Sequence, residues 1–508
     1  MKKNVLEYLD NSVKKYPSHI FCKEEDKEIT YKETEKKSKT LGYQIIKTVG
    51  KVTNSPIIIF IDKSIDCMIA MLGVLYSGNY YVCIDRDMPN ERLDAIINNL
   101  QPIAMICLKN DEKSRIIQEK HAILTIYINN EIVYPEKEID DAIAFARKSV
   151  ISTDPAYILY TSGSTGIPKG SVISHGALIA YADWLQETFN FNHETIFGSQ
   201  TPFYFSMSVL DIFSTLKNGA TLVLIPKKLF SFPIQLLEYL NKSKINTIYW
   251  VPSAMGIVAK WKALDYVDVT TLKTILFAGE VMPNKVLNRW REHIPNAMYA
   301  NLFGPTEITD IALYYIVDRE FKDEDILPIG VCANSMNAFA LNENNDVITQ
   351  GEIGELYFKG PFLGNGYYCL KEKTDEVFVQ NPLNNKFSEK VYKTGDLVKI
   401  NEFGEYEYIG RVDSQIKHSG YRIELGEIEH AANCIPDIDV CVALYDSKKD
   451  HIVLLYQGRN DSGRVLGTLR EKYLPAYMLP DRIENIAKMP YNANGKIDRV
   501  KLYSEYIG

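Results

Sequence analysis

Ten residues, Thr161-Ser162-Gly163-Ser164-Thr165-Gly166-Ile167-Pro168-Lys169-Gly170, hold the densest chemistry in this 508-residue chain. They combine three glycines, four hydroxyl side chains and one lysine. Glycines let backbone N–H groups approach a phosphate closely, hydroxyls donate further hydrogen bonds, and a lysine adds a point charge. The stretch reads as a cradle for the phosphates of a nucleotide triphosphate. It is not the common P-loop, in which Gly-Lys is followed by Ser or Thr. Here Ile167-Pro168 separates Gly166 from Lys169, and Gly170 comes next. A plain Ser/Gly-rich surface loop is disfavoured, because an apolar run at 156–160 feeds straight into the segment.

A cradle needs a rigid support, and the surrounding pattern supplies one. Short apolar runs at 57–61, 103–108, 123–128, 156–160, 222–225, 247–251 and 274–277 predict strands covered on both faces. Helix-period segments such as 65–75 and 233–243 lie between several of them. This alternation predicts an α/β fold with layered, largely parallel sheets. Glycine-punctuated strands at 355–359 and 405–409 predict a β-rich subdomain after Gly351. Beyond the polar stretch 411–415, Leu425, Ile428, Ala432 and Ile435 mark an amphipathic helix, and 440–444 with 452–456 a strand pair. The expected organisation is a large N-terminal domain over 1–411 and a small α+β domain over 412–508.

Composition excludes several functions. The length calls for two or more domains, and 46% hydrophobic with 24% charged residues is ordinary for a soluble globular protein. A net charge of -8 argues against nucleic acid and anionic membranes as partners. Eight scattered cysteines without a Cys-x-x-Cys pair predict reduced thiols in a cytoplasmic protein, not a zinc site. No signal peptide and no apolar run of membrane-spanning length is present, so membrane insertion is not expected.

Further segments follow the cradle in a set order. They include Asn301-Leu302-Phe303-Gly304-Pro305-Thr306-Glu307, Tyr392-Lys393-Thr394-Gly395-Asp396-Leu397, Gly410-Arg411-Val412-Asp413, Gly420-Tyr421-Arg422-Ile423-Glu424-Leu425-Gly426-Glu427 and Asn494-Gly495-Lys496. With the cradle, this series resembles the adenylate-forming superfamily. More narrowly, it is similar to the adenylation domains of non-ribosomal peptide synthetases and to D-alanine–carrier protein ligases. The resemblance covers nearly the whole chain. It implies activation of a carboxylic acid by ATP as an acyl-adenylate with release of pyrophosphate. Transfer to a phosphopantetheine thiol follows. Because the sequence ends soon after Arg499, the acceptor is expected to be a separate carrier protein.

The resemblance also implies roles. Thr161, Ser162, Gly163, Ser164, Thr165, Gly166 and Lys169 would hold the β- and γ-phosphates. Glu307 would bind Mg2+, and Thr306 would touch the α-phosphate. Phe303 would stack on adenine, with Gly279 and Glu280 lining the same slot. Asp396 would accept the ribose hydroxyls, assisted by Arg411. Lys496 would bridge carboxylate and α-phosphate, and Asp413 would be the hinge on which the small domain turns between the two half-reactions. In isolation Phe303 reads as core packing, Asp396 as a turn cap and Lys496 as a turn lysine. Glu424, Glu427 and Glu429 read as structural residues opening the small domain's first helix.

The acyl pocket departs from the pattern. The Phe-Asp-x-Ser motif stands here as Phe205-Ser206-Met207-Ser208. In amino-acid-activating relatives that aspartate pairs with the substrate's α-ammonium. A buried ammonium without a charged partner costs several kcal/mol. Ser206 therefore argues against an ordinary α-amino acid. Matching neighbouring motifs puts Met207, Leu210, Tyr249, Leu276 and Ala278 in the pocket, together with Leu302, Asp310 and Ile311. Asp310 leaves two readings open: a pocket carboxylate for a distal amine or hydroxyl, or a solvated residue beside the motif. The expected substrates are aryl, hydroxy or keto, short fatty, or β- or ω-amino acids. D-alanine–carrier protein ligase, acyl-CoA ligase and an inactive homologue acting as a binding module remain alternatives.

Overall fold

The computed structural model describes residues 2–128, 134–162, 168–412, 415–490 and 497–508. They group into two compact units. The first comprises Met1–Arg86, Gln101–Leu159 and Ser171–Val412; the second comprises Asp87–Leu100, Tyr160–Gly170 and Asp413–Gly508. The stretches 87–100 and 160–170, which the sequence reading assigns to the large N-terminal domain, thus group with the C-terminal segment.

The α/β layering expected from the sequence is present. A nine-stranded sheet has a parallel centre in the order Met298–Phe303, Thr274–Phe277, Thr247–Trp250, Ile196–Ser199, Thr221–Leu224 and Ile20–Glu24. Antiparallel strands Leu313–Ile316 and Lys27–Thr30 flank it. A seven-stranded sheet carries Tyr80–Cys83, Pro56–Phe60, Ala104–Cys107 and Thr125–Tyr127 as parallel neighbours. Every residue of Pro56–Phe60 is buried, as a strand between two helical layers requires. The helix Ile65–Tyr76 is apolar nearly all round and buried throughout except at Asp66. Its start is set by Ser64, whose hydroxyl accepts a hydrogen bond from Cys67 N. A five-stranded antiparallel sheet completes the first unit, with Ile353–Lys359 and Tyr406–Arg411 each pairing with the long strand Lys390–Ile400.

The second unit contains the hairpin Gln415–His418 and Tyr421–Glu424 and the helix Leu425–Asn433. It also contains the three-stranded sheet of Ile438–Asp446, His451–Gly458 and Arg482–Asn485. Among the described residues, no helix is long and apolar enough to cross a membrane.

Strand Met298–Phe303 returns antiparallel as Leu313–Ile316, with Phe303 opposite Leu313. The connecting turn doubles back so tightly that a Cβ on Gly304 would lie 2.2 Å from the carbonyl oxygen of Asp310 and 2.6 Å from Ile311 Cα. Both are backbone atoms and cannot swing aside. Gly304→Ala is therefore expected to destabilise the first unit by about 2 kcal/mol or more, read from denaturant unfolding. Unchanged stability would show that this turn opens freely.

Candidate active site

Parallel register builds one wall of the candidate acyl site. Tyr249 pairs with Leu276, and Leu276 with Ala300. Side chains alternate along a strand, so Tyr249, Leu276, Ala278 and Leu302 share one face of the sheet. All four are buried. Met207 and Leu210, at the start of the helix Ser208–Asn218, are buried as well, and so is Ile311. The structure thus brings the pocket residues named from sequence into the first unit's core.

The turn after Phe303 carries the polar side chains. Thr306–Ile308 form one turn of 3-10 helix. Glu307 is wholly buried and accepts the Tyr367 hydroxyl at 2.5 Å, while its backbone carbonyl accepts Gly364 N at 2.8 Å. The Thr306 hydroxyl lies 3.3 Å from Ser206 Oγ. Next comes Thr309 at φ 76° and ψ -57°, the centre of a γ-turn in which Asp310 N donates to Ile308 O at 3.0 Å. A β-branched residue pays strain there, of order 1–3 kcal/mol. The surroundings hold it: the Thr309 hydroxyl donates to Phe362 O at 2.8 Å, and the Tyr157 hydroxyl donates to Thr309 O at 3.2 Å.

This bend presents Asp310, which is 2% exposed; the reading of a solvated residue is thereby corrected. Its Oδ2 accepts the Tyr181 hydroxyl at 2.8 Å and the Tyr249 hydroxyl at 3.3 Å. Burial pushes the Asp310 carboxyl up to about 7, against the opposing hydrogen bonds from Tyr181, Tyr249 and Ser206. A second buried carboxylate, Asp211, is raised by burial and is opposed by the charge of Lys63. The Lys63 side chain is partly buried, and its ammonium donates to Ser199 O at 2.7 Å.

The nucleotide candidates separate between the two units. Asp396 is buried and accepts Arg411 Nη1 at 2.7 Å, the two residues facing each other across paired strands. Arg411 thus neutralises and orients the carboxylate expected to meet ribose. Phe303 is buried and lies 6.0 Å from the Tyr408 ring. Glu280 accepts Ser253 N at 2.7 Å, at the start of the helix Pro252–Lys260, and Gly279 has φ 90°. In the second unit, Lys169 Nζ is 3.1 Å from Glu424 Oε1. The Ser162 hydroxyl donates to Arg422 O at 2.7 Å and accepts Glu424 N at 3.1 Å. The Thr161 hydroxyl sits 3.4 Å from Lys169 O. Glu427 pairs with Arg92, and Glu429 with Arg499, in keeping with structural roles. Gly163, Ser164, Thr165, Gly166, Asp413 and Lys496 lie outside the described residues.

Mg2+ is commonly held by one or two carboxylates while substrate phosphates supply further oxygens. Glu307 offers one such buried carboxylate. Among the described residues no three His, Cys, Asp or Glu side chains form a metal cage. Tyr367, Tyr181, Lys63 and Thr309 escaped the sequence reading. The two tyrosines meet their carboxylates across 60 and 129 residues, and no local spacing marks such partners.

Residues 9–368 match the family model described as AMP-binding enzyme. The chain is 31% identical over 496 residues to a D-alanine--D-alanyl carrier protein ligase of Bacillus cereus, covering 94% of this chain and 95% of that protein. It is 30% identical over 512 residues to gramicidin S synthase 1 of Brevibacillus brevis, covering 98% of this chain but 44% of that protein. A solved NRPS protein containing adenylation and PCP domains, bound to a vinylsulfonamide inhibitor, superposes with a TM-score of 0.82 at 20% identity. The match covers 99% of this chain and 84% of that structure.

Asp310 makes stability depend on pH. Its folded value near 7 exceeds the ordinary 3.8, so the folded state keeps a proton that the unfolded chain releases. Its contribution is full below about 4 and is lost as pH rises to 7, by up to roughly 4 kcal/mol. Tyr157, Tyr181, Tyr249, Ser206 and Asp211 face it, and Asp211 adds a slope of the same sign. Asp310→Asn is expected to flatten, not abolish, the fall in denaturant stability between pH 4 and 7. An unchanged slope would remove Asp310 as its source.

Proposed function

Because the chain belongs to the AMP-binding enzyme family, we propose that it activates a carboxylic acid as acyl-AMP and passes the acyl group to the phosphopantetheine thiol of a separate carrier protein. The protein is an adenylate-forming ligase, and ATP is its nucleotide substrate. The observation that carries the acceptor is the likeness, over nearly the full length of both chains, to a D-alanine--D-alanyl carrier protein ligase.

In the first half-reaction a substrate carboxylate oxygen bonds to the α-phosphorus of ATP, and the bond to pyrophosphate breaks. Two anions must meet, so preorganised positive and hydrogen-bonding groups are the main catalytic means. Lys496 would bridge carboxylate and α-phosphate, Thr306 would donate to the α-phosphate, and Lys169 with the cradle would hold the leaving pyrophosphate. Mg2+ held at Glu307 would neutralise phosphate charge. Asp396, oriented by Arg411, would anchor ribose. In the second half-reaction the thiol sulfur bonds to the acyl carbon and AMP leaves. A rotation at Asp413 would withdraw Lys496 and admit the thiol arm. These steps suit a cytoplasmic enzyme, with small domain 412–508 as the moving part.

The acid we infer lacks an α-ammonium, because Ser206 stands where the pairing aspartate is expected. Losing one partner of a buried charge pair costs about 3–5 kcal/mol, roughly two to three orders of magnitude in kcat/KM. A D-alanine ligase is the second reading, favoured by the same relative.

ATP is expected to give AMP and pyrophosphate only when a carboxylic acid is present; ADP with orthophosphate would defeat the ligase reading. Lys496→Ala should cripple adenylate formation while slowing transfer from supplied acyl-adenylate far less. Asp413→Pro should do the reverse. Single-turnover assays of each half-reaction decide, and equal loss of both steps in both variants would remove the two-state scheme. Pyrophosphate exchange with D-alanine or an L-α-amino acid as the best substrate would overturn the acid assignment.

A further inference from the structure

Besides Glu307, the buried carboxylates Asp211 and Asp310 lie near the candidate acyl site, and of these two only Asp211 is answered by a cation among the described residues. Asp211 has Lys63 as its counter-charge. Asp310 has three hydroxyl neighbours, Tyr181, Tyr249 and Ser206, and, among the described residues, no lysine, arginine or histidine acts on it. Hydroxyls orient a carboxylate but leave its charge uncompensated, and an uncompensated buried charge is strongly unfavourable. The chain nevertheless places it there through a strained γ-turn at Thr309, secured from two sides by Tyr157 and Phe362. Strain of this kind persists only where the surroundings over-determine it.

The spatial order of the side chains gives direction. Thr306 hydrogen-bonds Ser206, and Ser206 in turn acts on the Asp310 carboxyl. In the proposed reaction Thr306 marks the end where carboxylate meets α-phosphate. Ser206 marks the position level with the substrate's α-carbon. Asp310 is thus one side chain further along. We infer that Asp310 is the anchor for an ammonium borne by the substrate acid beyond its α-carbon, so that the preferred substrates are β- or γ-amino acids. The two tyrosine hydroxyls hold Oδ2 in place, and the incoming ammonium supplies the missing cation. This inference rests on the proposed acid-activating function.

The test uses the full-length protein with Mg2+ and ATP in pyrophosphate exchange. Butanoate, 2-aminobutanoate, 3-aminobutanoate and 4-aminobutanoate are compared, together with the matching three- and five-carbon sets. The expected result is that a 3- or 4-amino acid exceeds both the unsubstituted and the 2-amino acid of equal length by on the order of 100-fold in kcat/KM. Asp310→Asn should erase that advantage, chiefly through KM, penalising the 3- or 4-amino acid on the order of 100-fold more than the unsubstituted acid. Tyr181→Phe should weaken the advantage less, since it loosens the carboxylate without removing its charge. Equal or better use of unsubstituted acids, or first place for a 2-amino acid, would overturn the inference. So would an equal loss for every acid in Asp310→Asn, which marks a purely structural carboxylate. Should Asp310→Asn fail to fold, the wild-type ranking alone decides. Exchange supported by unsubstituted acids only would sink the anchor while leaving the ligase reading intact. No exchange with any acid would bring down that reading and the inference with it.

Discussion

The tight reversal between Phe303 and Leu313 is the constraint on which the rest of the site depends. Strand Leu313–Ile316 must pair with Met298–Phe303, and the nine-residue connection, 304–312, must fit in the space left. It does so by packing Gly304 directly on the Asp310 carbonyl, by one turn of 3-10 helix, and by a γ-turn at Thr309. Within this small volume Thr306, Glu307 and Asp310 are each given a separate direction. The parallel sheet beneath supplies the rigidity, since interiors packed at crystal-like density do not yield gradually.

The first unit handles buried negative charge in several ways. Asp396 is neutralised by Arg411 and held in register by strand pairing. Asp211 is opposed by the nearby charge of Lys63. Glu307 takes a tyrosine hydroxyl. Asp310 takes two tyrosine hydroxyls. A group fully neutralised by the protein positions substrate through hydrogen bonds, whereas one left charged attracts a cation. By that logic Asp396 would suit neutral hydroxyls, and Asp310 would suit a positive partner.

The second unit shows another use of charge. Glu424 joins Lys169, Gln415 Nε2 and the Ser162–Arg422 backbone contacts into one network. Arg92 and Arg499 tie down Glu427 and Glu429 on the neighbouring helix. The acidic run 424–429 is therefore spent on internal pairing. For Lys169 the consequence is direct: a triphosphate would have to compete with a carboxylate already 3.1 Å away.

Much of this protein is set by local sequence. All seven apolar runs read as strands overlap strands of the two large sheets; six of them follow from the local rule that a doubly covered parallel strand is apolar throughout, whereas Thr125–Tyr127 is only partly covered. The adenylate-forming identity was likewise legible, since a phosphate cradle and its companion motifs are short and ordered along the chain. Strands such as Tyr80–Cys83 and Ile196–Ser199 were missed, being too short or too mixed to stand out without their neighbours. The state of Asp310 was undecidable from its own segment. Whether an aspartate beside a motif is solvated or buried depends on what meets it, and here that is Tyr181 from a helix 129 residues away and Tyr249 from a strand 61 residues away. The Lys63–Asp211 and Tyr367–Glu307 pairs are of the same kind. Residue types and their local spacing determined the fold class and the reaction; only the tertiary structure decided which charges are paired and which are left for a ligand, because pairing energy depends on distance and burial, neither of which is written along the chain.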